Sequence, residues 1–256
     1  MKKILFAWSS GKDSAMAFHV LQQLKEYKII SLLTTVSEEY GRVSMHGVRT
    51  ALLEKQAQSI GCPLEQVCIP KDCTSEVYES LMAETLLKYK NFGVTAVAFG
   101  DIFLEDLRKY REEKLAKIGM EGIFPIWTKG TKELAASFVK SRFRAVVTCV
   151  DTQVLDASFC GREYGKEFLE DLPETVDPCG ENGEFHSFAF ERPIFKRKIG
   201  FEKGEIVLRD NRFCFCDLMK DSLFMPNIET SAWSQLVQID RRHSYSDLVQ
   251  ENGGQI

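Results

Sequence analysis

A short polar loop between an apolar segment and a helical pattern constrains the fold of this chain more than any other feature. The segment Lys3 to Trp8 is short and rich in Ile, Leu and Phe, which is typical of a buried strand. Apolar residues then recur at helical spacing from Ala15 to Lys25. The loop between them, Ser9 to Ser14, reads SSGKDS. The chain therefore begins with a strand, a tight turn and a helix.

This loop is a candidate anion site, because the first N–H groups of a helix are unpaired and the helix dipole is positive there. Phosphate is the expected ligand. The loop is not a Walker A motif, since Phe6 stands where that motif has its first glycine and Asp13 separates Lys12 from Ser14. The alternative interpretation is an ordinary strand–turn–helix unit without a ligand.

Strand and helix patterns alternate through the first half of the chain. After the first strand, buried-strand patterns cover Lys28–Thr35, Leu64–Ile69, Val94–Phe99 and Ile123–Trp127. The segments between them have helical periodicity or are polar loops. This alternation predicts an α/β fold with a parallel five-stranded sheet covered by helices on both faces. The carboxyl ends of such strands form the usual ligand crevice.

The pattern changes near residue 130. A helical segment at Thr131–Ser141 and a strand at Arg144–Val150 are followed by mixed loops and glycine-rich turns. Two further strands flank Arg209–Asn211 and predict a hairpin. We therefore predict one domain at residues 1–130 and a smaller α+β domain at residues 131–256, which ends in a polar tail from Met219.

The composition argues against several classes of protein. The 256-residue chain is 44% hydrophobic and 27% charged, as globular domains are, and no apolar run approaches membrane-spanning length. Its net charge of -4 provides no basic field for nucleic acid. The eight scattered cysteines are typical of reduced thiols, and the amino terminus lacks a signal-peptide pattern. We expect a cytoplasmic protein without nucleic-acid or membrane partners, for which a homodimer is one possibility.

Two carboxylates are candidates for the chemistry of the crevice. Lys12 offers a positive charge to a phosphate, and Asp13 offers a carboxylate that binds Mg²⁺ or braces the loop. Gly100-Asp101 follows the fourth strand, so we expect Asp101 to lie beside the loop as a metal or substrate contact. The alternative role for Ser14 and Asp101 is to cap a helix.

Cationic side chains in two other segments could reach an anion at the same crevice. Arg108 and Arg111 lie three residues apart in the helix after Asp101, and one of them could contact phosphate. His46 and Arg49 lie in the loop after the second strand, which should overhang the crevice. Most charges on such a helix face solvent, and a plain surface loop is an equal alternative for the second pair.

The segment Asp177–Ser187, DPCGENGEFHS, is the second most informative stretch. It concentrates glycines, two carboxylates, an amide, an imidazole and a hydroxyl in a few residues. Such density is more typical of a binding loop than of a core. A tight hairpin with glycines at positive φ is the alternative.

Taken together, these motifs resemble the diphthine ammonia ligase family of the PP-loop ATP pyrophosphatases. The resemblance covers residues 1–196 and is carried by SSGKDS, MHGVR, GDIFLEDLRKYRE, Pro125-Ile126-Trp127 and GENGEFHS. It implies a nucleotide-binding domain of the adenine nucleotide α-hydrolase (HUP-like) type followed by a substrate domain. It also implies that ATP activates a carboxylate as an acyl adenylate, with release of pyrophosphate. Ammonia then converts the adenylate to an amide and AMP.

Two departures from the family pattern bear on the substrate. Ser10 replaces a loop glycine, and this chain has Glu181-Asn182-Gly183-Glu184-Phe185-His186 where eukaryotic and archaeal members have EGGE followed by Tyr or Phe. The pattern in this chain is similar to that of a bacterial subgroup. Amidation in corrinoid (B12) salvage is therefore an alternative function. A non-catalytic ATP-binding sensor is another. The absence of CxxC and of a basic face disfavours tRNA thiolation or lysidine formation.

The residue patterns and the resemblance together assign the candidate roles. The predicted catalytic residues are Lys12, Asp13, Asp101 and Glu184, with Mg²⁺ held by Asp13 and Asp101. The predicted ATP contacts are Ser9, Ser10, Gly11, Lys12, Asp13, Ser14, Thr34, His46, Arg49, Gly100 and Arg108. The predicted substrate contacts are Glu181, Asn182, Gly183, Phe185, His186 and Ser187. The expected partners are ATP, a carboxylate substrate and ammonia.

Overall fold

The computed structural model describes residues 1–44 and 46–221, and Met1–Asp221 forms one compact unit that contains two β-sheets. The predicted polar tail lies outside the described residues, apart from its first three positions. Because both sheets belong to the same unit, the division at residue 130 stays a prediction about the organisation of the sequence.

The first sheet is mostly parallel. Its strands are β1 (Lys2–Ala7), β2 (Tyr27–Ser37), β3 (Arg42–Val43), β4 (Leu64–Ile69), β5 (Ala96–Ala98) and β6 (Glu121–Ile123). The parallel strands lie in the order β4-β2-β1-β5-β6, and β3 pairs antiparallel with the end of β2. The helices between them are α1 (Lys12–Gln23), α2 (Thr50–Ile60), α3 (Ser75–Asn91) and α4 (Glu105–Lys117). This arrangement confirms the α/β class and is consistent with a HUP-like domain.

Two details of the predicted sheet differ from the structure. The sheet has six strands rather than five, because the two-residue β3 extends it beside β2. The last parallel strand, predicted at Ile123–Trp127, ends at Ile123, and a turn follows. Pro125 accounts for the difference, since proline has no N–H to donate to a neighbouring strand.

The second sheet is antiparallel. After α5 (Thr131–Lys140), its strands are β7 (Arg144–Asp151), β8 (Glu163–Tyr164), β9 (Phe185–Glu191), β10 (Phe201–Arg209) and β11 (Phe213–Lys220), with α6 (Lys166–Asp171) after β8. Strand β7 is central, with β9 on one side and β8 and β11 on the other. The predicted strand at Arg144–Val150 and the hairpin around Arg209–Asn211 are both confirmed.

The parallel sheet separates two hydrophobic cores, because alternate residues of each strand face opposite sides. Ile4 and Phe6 of β1 face the larger core, which contains residues of α1, α2 and the second sheet. Leu5 faces the smaller core, together with residues of α3 and α4. In the described part of the chain, no helix is long and apolar enough to cross a membrane.

The buried amide of Gln56 connects the first loop to both sheets. Gln56 lies on α2 and is fully buried. Its Oε1 accepts a hydrogen bond from Trp8 Nε1 at 2.8 Å, and its Nε2 donates to Ser10 O at 3.0 Å and Ala189 O at 2.6 Å. The N–H of Ala189 also donates to Ser10 O, at 2.9 Å. The loop backbone is therefore held between α2 and β9.

Replacing Gln56 with Leu should lower the free energy of unfolding by roughly 3 kcal/mol, because a similar volume is kept while buried polar groups lose their partner. Urea unfolding followed by circular dichroism measures this. The control is Gln23→Leu, since Gln23 is exposed on α1 and contacts only the His19 ring. The control should change stability by less than about 0.5 kcal/mol. Equal effects of the two substitutions would contradict the connecting role of Gln56.

Candidate active site

A cavity of about 380 Å³ opens at the carboxyl ends of β1, β2 and β5. The strand order reverses between β1 and β5, which is where open α/β sheets bind ligands. Its polar lining includes Ser9, Lys12, Asp13, Ser14, Thr34, His46, Asp101, Arg111, Glu181, His186 and Ser187. Its apolar lining includes Leu33, Tyr78, Met82, Leu86, Val97, Phe99, Leu104, Leu107 and Leu115. The cavity thus has one charged side and one apolar side formed by α3 and α4.

Backbone N–H groups of the first loop donate to three serine hydroxyls, two from the loop itself and one from β9. Ser9 N donates to Ser14 Oγ at 3.2 Å, and Gly11 N donates to Ser9 Oγ at 3.3 Å. Lys12 N donates to Ser187 Oγ of β9 at 3.2 Å. Ser10 has φ +71°, the left-handed conformation that favours glycine, so the loop keeps a glycine-like backbone despite the serine. The loop therefore presents N–H groups and hydroxyls of the kind that bind phosphate.

Gly11 and Thr34 both support the loop, and of the two only Thr34 lines the cavity. A Cβ at Gly11 would lie 3.0 Å from His46 Cε1 and 3.2 Å from Ser187 O, so a side chain has no room there. Thr34 Oγ1 donates to Trp8 O at 2.6 Å, which holds the end of β1 beside β2. Both residues, which are predicted nucleotide contacts, thus hold the backbone around the site in place.

Lys12 is buried and forms an ion pair with its neighbour. Lys12 Nζ lies 3.0 Å and 2.8 Å from the two carboxylate oxygens of Asp13 and also donates to Cys179 O. Its Nζ is 5.2 Å from the centre of the Phe185 ring. Burial lowers the pKa of Lys12, but Asp13 together with Cys179 and Glu181 outweighs this, and the pKa is raised overall. The ammonium therefore remains charged inside the protein.

Gly100 brings Asp101 against the first loop. A Cβ at Gly100 would lie 3.0 Å from Ser14 N and 3.1 Å from the carbonyl carbon of Asp13. Because of this close approach, the Asp101 carboxylate lines the same cavity as Asp13. Asp101 Oδ2 lies 2.7 Å from Arg111 Nε. Burial raises the pKa of Asp101, and Arg111 opposes that shift.

Four predicted ATP contacts lie outside the cavity lining, namely Ser10, Gly11, Arg49 and Arg108. Arg108 Nε lies 2.8 Å from Glu112 Oε1, and its guanidinium stacks 4.8 Å from the ring centres of Phe124 and Trp127. Arg111, one turn further along α4, is the arginine that lines the cavity. The geometry therefore does not support Arg108 as an ATP contact.

Arg49 joins the two sheets. Arg49 and Arg42 both form ion pairs with Asp217 of β11, at 2.5 and 2.8 Å. The hydrogen bond from Arg49, helped by Arg42, lowers the pKa of Asp217 to about 2. These pairs fix the loop that carries His46 against β11, and they leave Arg49 outside the cavity lining.

The two glutamates of the second loop have different surroundings. Glu184 is buried and accepts from Asp177 N at 3.1 Å, and from Asn182 N and Nδ2 at 3.0 Å each. It holds the loop in shape and does not line the cavity, so the geometry does not support its predicted catalytic role. Glu181 lines the cavity, and its Oε1 accepts from Ile102 N at 2.8 Å. Burial raises the pKa of Glu181 to about 7.

Of the remaining predicted substrate contacts, four line the cavity and one does not. Gly183, Phe185, His186 and Ser187 line the cavity, whereas Asn182 is exposed and binds Glu184. The His186 ring lies 4.7 Å from the His46 ring. Burial lowers the pKa of His46 to about 3 and that of His186 to about 4. The pair is therefore neutral and offers uncharged nitrogen donors and acceptors to a ligand.

The residues fit Mg²⁺ when it arrives with a nucleotide. Among the described residues, no group of three or more His, Cys, Asp or Glu side chains could hold a metal ion. Mg²⁺ usually takes only one or two carboxylates and completes its shell with phosphate oxygens and water. Asp13 and Asp101 supply two carboxylates on one cavity wall, which matches that requirement.

Comparison with known families identifies the family of this chain. One family model, the diphthamide synthase N-terminal domain, matches residues 1–122, and another, the diphthamide synthase C-terminal domain, matches residues 130–223. The chain belongs to the diphthamide synthase family. The two matched regions contain every residue assigned to the cavity above. The expected resemblance is thereby confirmed at the family level, and membership of the bacterial subgroup stays a prediction.

Three relatives within the diphthamide synthase family are named diphthine–ammonia ligase. The Mus musculus protein is 23% identical over 78% of this chain and 83% of its own length. The Danio rerio protein is 25% identical over 79% of this chain and 88% of its own length. The Rattus norvegicus protein is 26% identical over 58% of this chain, and the match spans 57% of that protein.

We predict that Gly100→Ala weakens pyrophosphate binding at least about tenfold and lowers the free energy of unfolding by roughly 1–3 kcal/mol. The added methyl group must push β5 away from the first turn of α1. Calorimetric titration with pyrophosphate and urea unfolding measure the two effects. Gly130→Ala is the matched control, because the nearest atom to its Cβ is 3.9 Å away. Unchanged pyrophosphate affinity in Gly100→Ala would contradict the placement of the anion site.

Proposed function

We propose that this chain is an ATP-dependent ligase that adenylates a carboxylate and amidates it with ammonia. The observation that carries the proposal is the meeting of the SSGKDS loop, two carboxylates and Glu181 in one cavity. The names of the family relatives, diphthine–ammonia ligase, agree with this chemistry. A diphthine-type carboxylate is the first candidate acid, and a corrinoid carboxylate is the second.

In the proposed complex, the triphosphate of ATP lies on the first loop. The hydroxyls of Ser9 and Ser14 and the ammonium of Lys12 contact the phosphates, in keeping with an anion site at the start of α1. The apolar wall of α3 and α4, including Tyr78 and Met82, receives the base. Asp13 and Asp101 would hold Mg²⁺, which would neutralise part of the negative charge of the phosphates.

The proposed reaction has two steps. A carboxylate oxygen of the acid attacks the α-phosphorus, the bond from that phosphorus to pyrophosphate breaks, and an acyl adenylate remains. Ammonia then attacks the acyl carbon, the bond from that carbon to the AMP oxygen breaks, and the amide and AMP leave. The cavity contributes by holding the reactants together and by stabilising charge.

Glu181 is the proposed proton acceptor in the second step. Ammonia loses a proton as the amide forms, so a carboxylate near the acyl carbon speeds the step. Lys12 and Asp13 of α1 and Asp101 beside β5 face Glu181, and a backbone N–H holds one of its oxygens. His46 and His186, both neutral, line the same cavity as sites for the substrate carboxylate.

Asp13→Asn should reduce release of AMP and pyrophosphate at least about 100-fold, because the substitution removes a charge that orients Mg²⁺ and the phosphates. The assay supplies ATP, Mg²⁺, an ammonium salt and either a diphthine-modified protein or a corrinoid carboxylic acid. Asp106→Asn, at an exposed position on α4, is the control and should keep full activity. ATP binding without turnover by the unmodified chain with both acids would favour the sensor alternative, and formation of ADP would overturn the adenylation mechanism.

The amidation rate should fall as the pH decreases through about 7, because Glu181 becomes protonated there and can no longer accept a proton. The measurement holds free ammonia constant while the pH varies. Glu181→Gln should be slow and should lose this pH dependence. Hydroxylamine also loses a proton when it is acylated, so at a constant concentration of its free base the unmodified chain should show the same fall. A pH profile of Glu181→Gln that matches the unmodified chain would contradict the assignment.

A further inference from the structure

Arg111 has a position in the cavity that the proposed reaction does not yet use. Its Nε lies 2.7 Å from Asp101 Oδ2, and its Nη2 lies 3.3 Å from Asp101 Oδ1. Its guanidinium carbon lies 4.4 Å from the centre of the Phe99 ring. The Arg111 side chain is 29% exposed, whereas that of Asp101 is 13% exposed. The guanidinium is thus held on an aromatic surface with one side toward the open cavity.

Two cations that line the cavity are each paired with a carboxylate of the protein. Lys12 pairs with Asp13, and Arg111 pairs with Asp101. A bound triphosphate would place several negative charges next to both carboxylates. The arrangement becomes favourable if the cations turn from their carboxylates to the phosphates, because an arginine fork binds phosphate as well as carboxylate.

We propose that Arg111 exchanges Asp101 for a phosphate group of the nucleotide when ATP binds. This inference rests on the proposed function only in placing ATP in this cavity. The Phe99 ring supports the guanidinium plane in both positions, so the exchange needs a small movement of the side chain. Asp101 is thereby released for the Mg²⁺ that accompanies the nucleotide, so Arg111 couples ATP binding to the metal site.

Arg108 provides a matched control on the same helix. It lies one turn before Arg111, forms an ion pair with Glu112 and stacks on Phe124 and Trp127. It does not line the cavity. Arg108→Met removes the same charge from α4 at a similar distance along the chain. Any effect of the overall charge of α4 on ATP binding should therefore appear in both variants.

The test measures ATP affinity by calorimetry in EDTA, so that no metal contributes. Arg111→Met alone leaves the Asp101 carboxylate unpaired, which is destabilising, so the comparison is made in an Asp101→Asn background. We expect the double variant D101N/R111M to bind ATP roughly 10- to 100-fold more weakly than D101N, the loss typical of a charged hydrogen bond. R108M should bind within about twofold of the unmodified chain, and thermal melting confirms that each variant is folded.

Equal ATP affinity in D101N and D101N/R111M would overturn the inference. That result would leave the proposed function standing if the unmodified chain binds ATP and releases AMP. Absence of ATP binding by the unmodified chain would overturn both. A specific loss in the double variant supports the role of Arg111, even if neither acid tested proves to be the substrate.

Discussion

The hydrogen bonds of Gln56 are the interaction on which the site depends most. One buried amide joins the indole of Trp8, the carbonyl of Ser10 and the carbonyl of Ala189, so α2, the first loop and β9 are fixed by a single side chain. Because the Trp8 indole N–H and the buried Gln56 amide would lose these hydrogen bonds in another arrangement, other loop conformations are disfavoured by several kcal/mol. The positive φ of Ser10 is maintained within this network. The loop is thus organised for an anion before any ligand binds.

The second sheet completes a site that the parallel sheet begins. The parallel sheet supplies the loop and Asp101 at the usual switch point, and the segment before β9 supplies Glu181. Ser187 contacts the loop directly through Lys12 N, and Asp217 holds the His46 loop from the other side. Two cations of the cavity are each paired with a carboxylate, Lys12 with Asp13 and Arg111 with Asp101. A nucleotide that arrives with Mg²⁺ can replace both ion pairs at once, because its phosphates can bind the two cations and its metal ion can bind the two carboxylates.

Much of the fold could be predicted from the sequence, because strand and helix periodicity are local properties. The bounds of β4 agree with its pattern, and the SSGKDS and Gly100-Asp101 turns lie together as expected. The sequence could not predict which of two residues of the same type, close together in the chain, lines the cavity. Arg108 and Arg111 lie on adjoining faces of one helix, and only packing on Phe124 or Phe99 separates them. Glu181 and Glu184 are separated by a turn at Gly183, which has a positive φ. Gln56 has no sequence signal beyond a polar position on an amphipathic helix.

The central claim is that the acid is activated by transfer of AMP to its carboxylate, with the pyrophosphate held by the first loop. Transfer of isotope tests this directly: the acid is labelled with ¹⁸O in its carboxylate, and the products are examined by mass spectrometry after a single turnover with ATP and ammonia. We predict one ¹⁸O atom in AMP and one in the amide, because the attacking carboxylate oxygen stays on phosphorus when ammonia displaces it. Appearance of ¹⁸O in inorganic phosphate, with unlabelled nucleotide, would contradict the account.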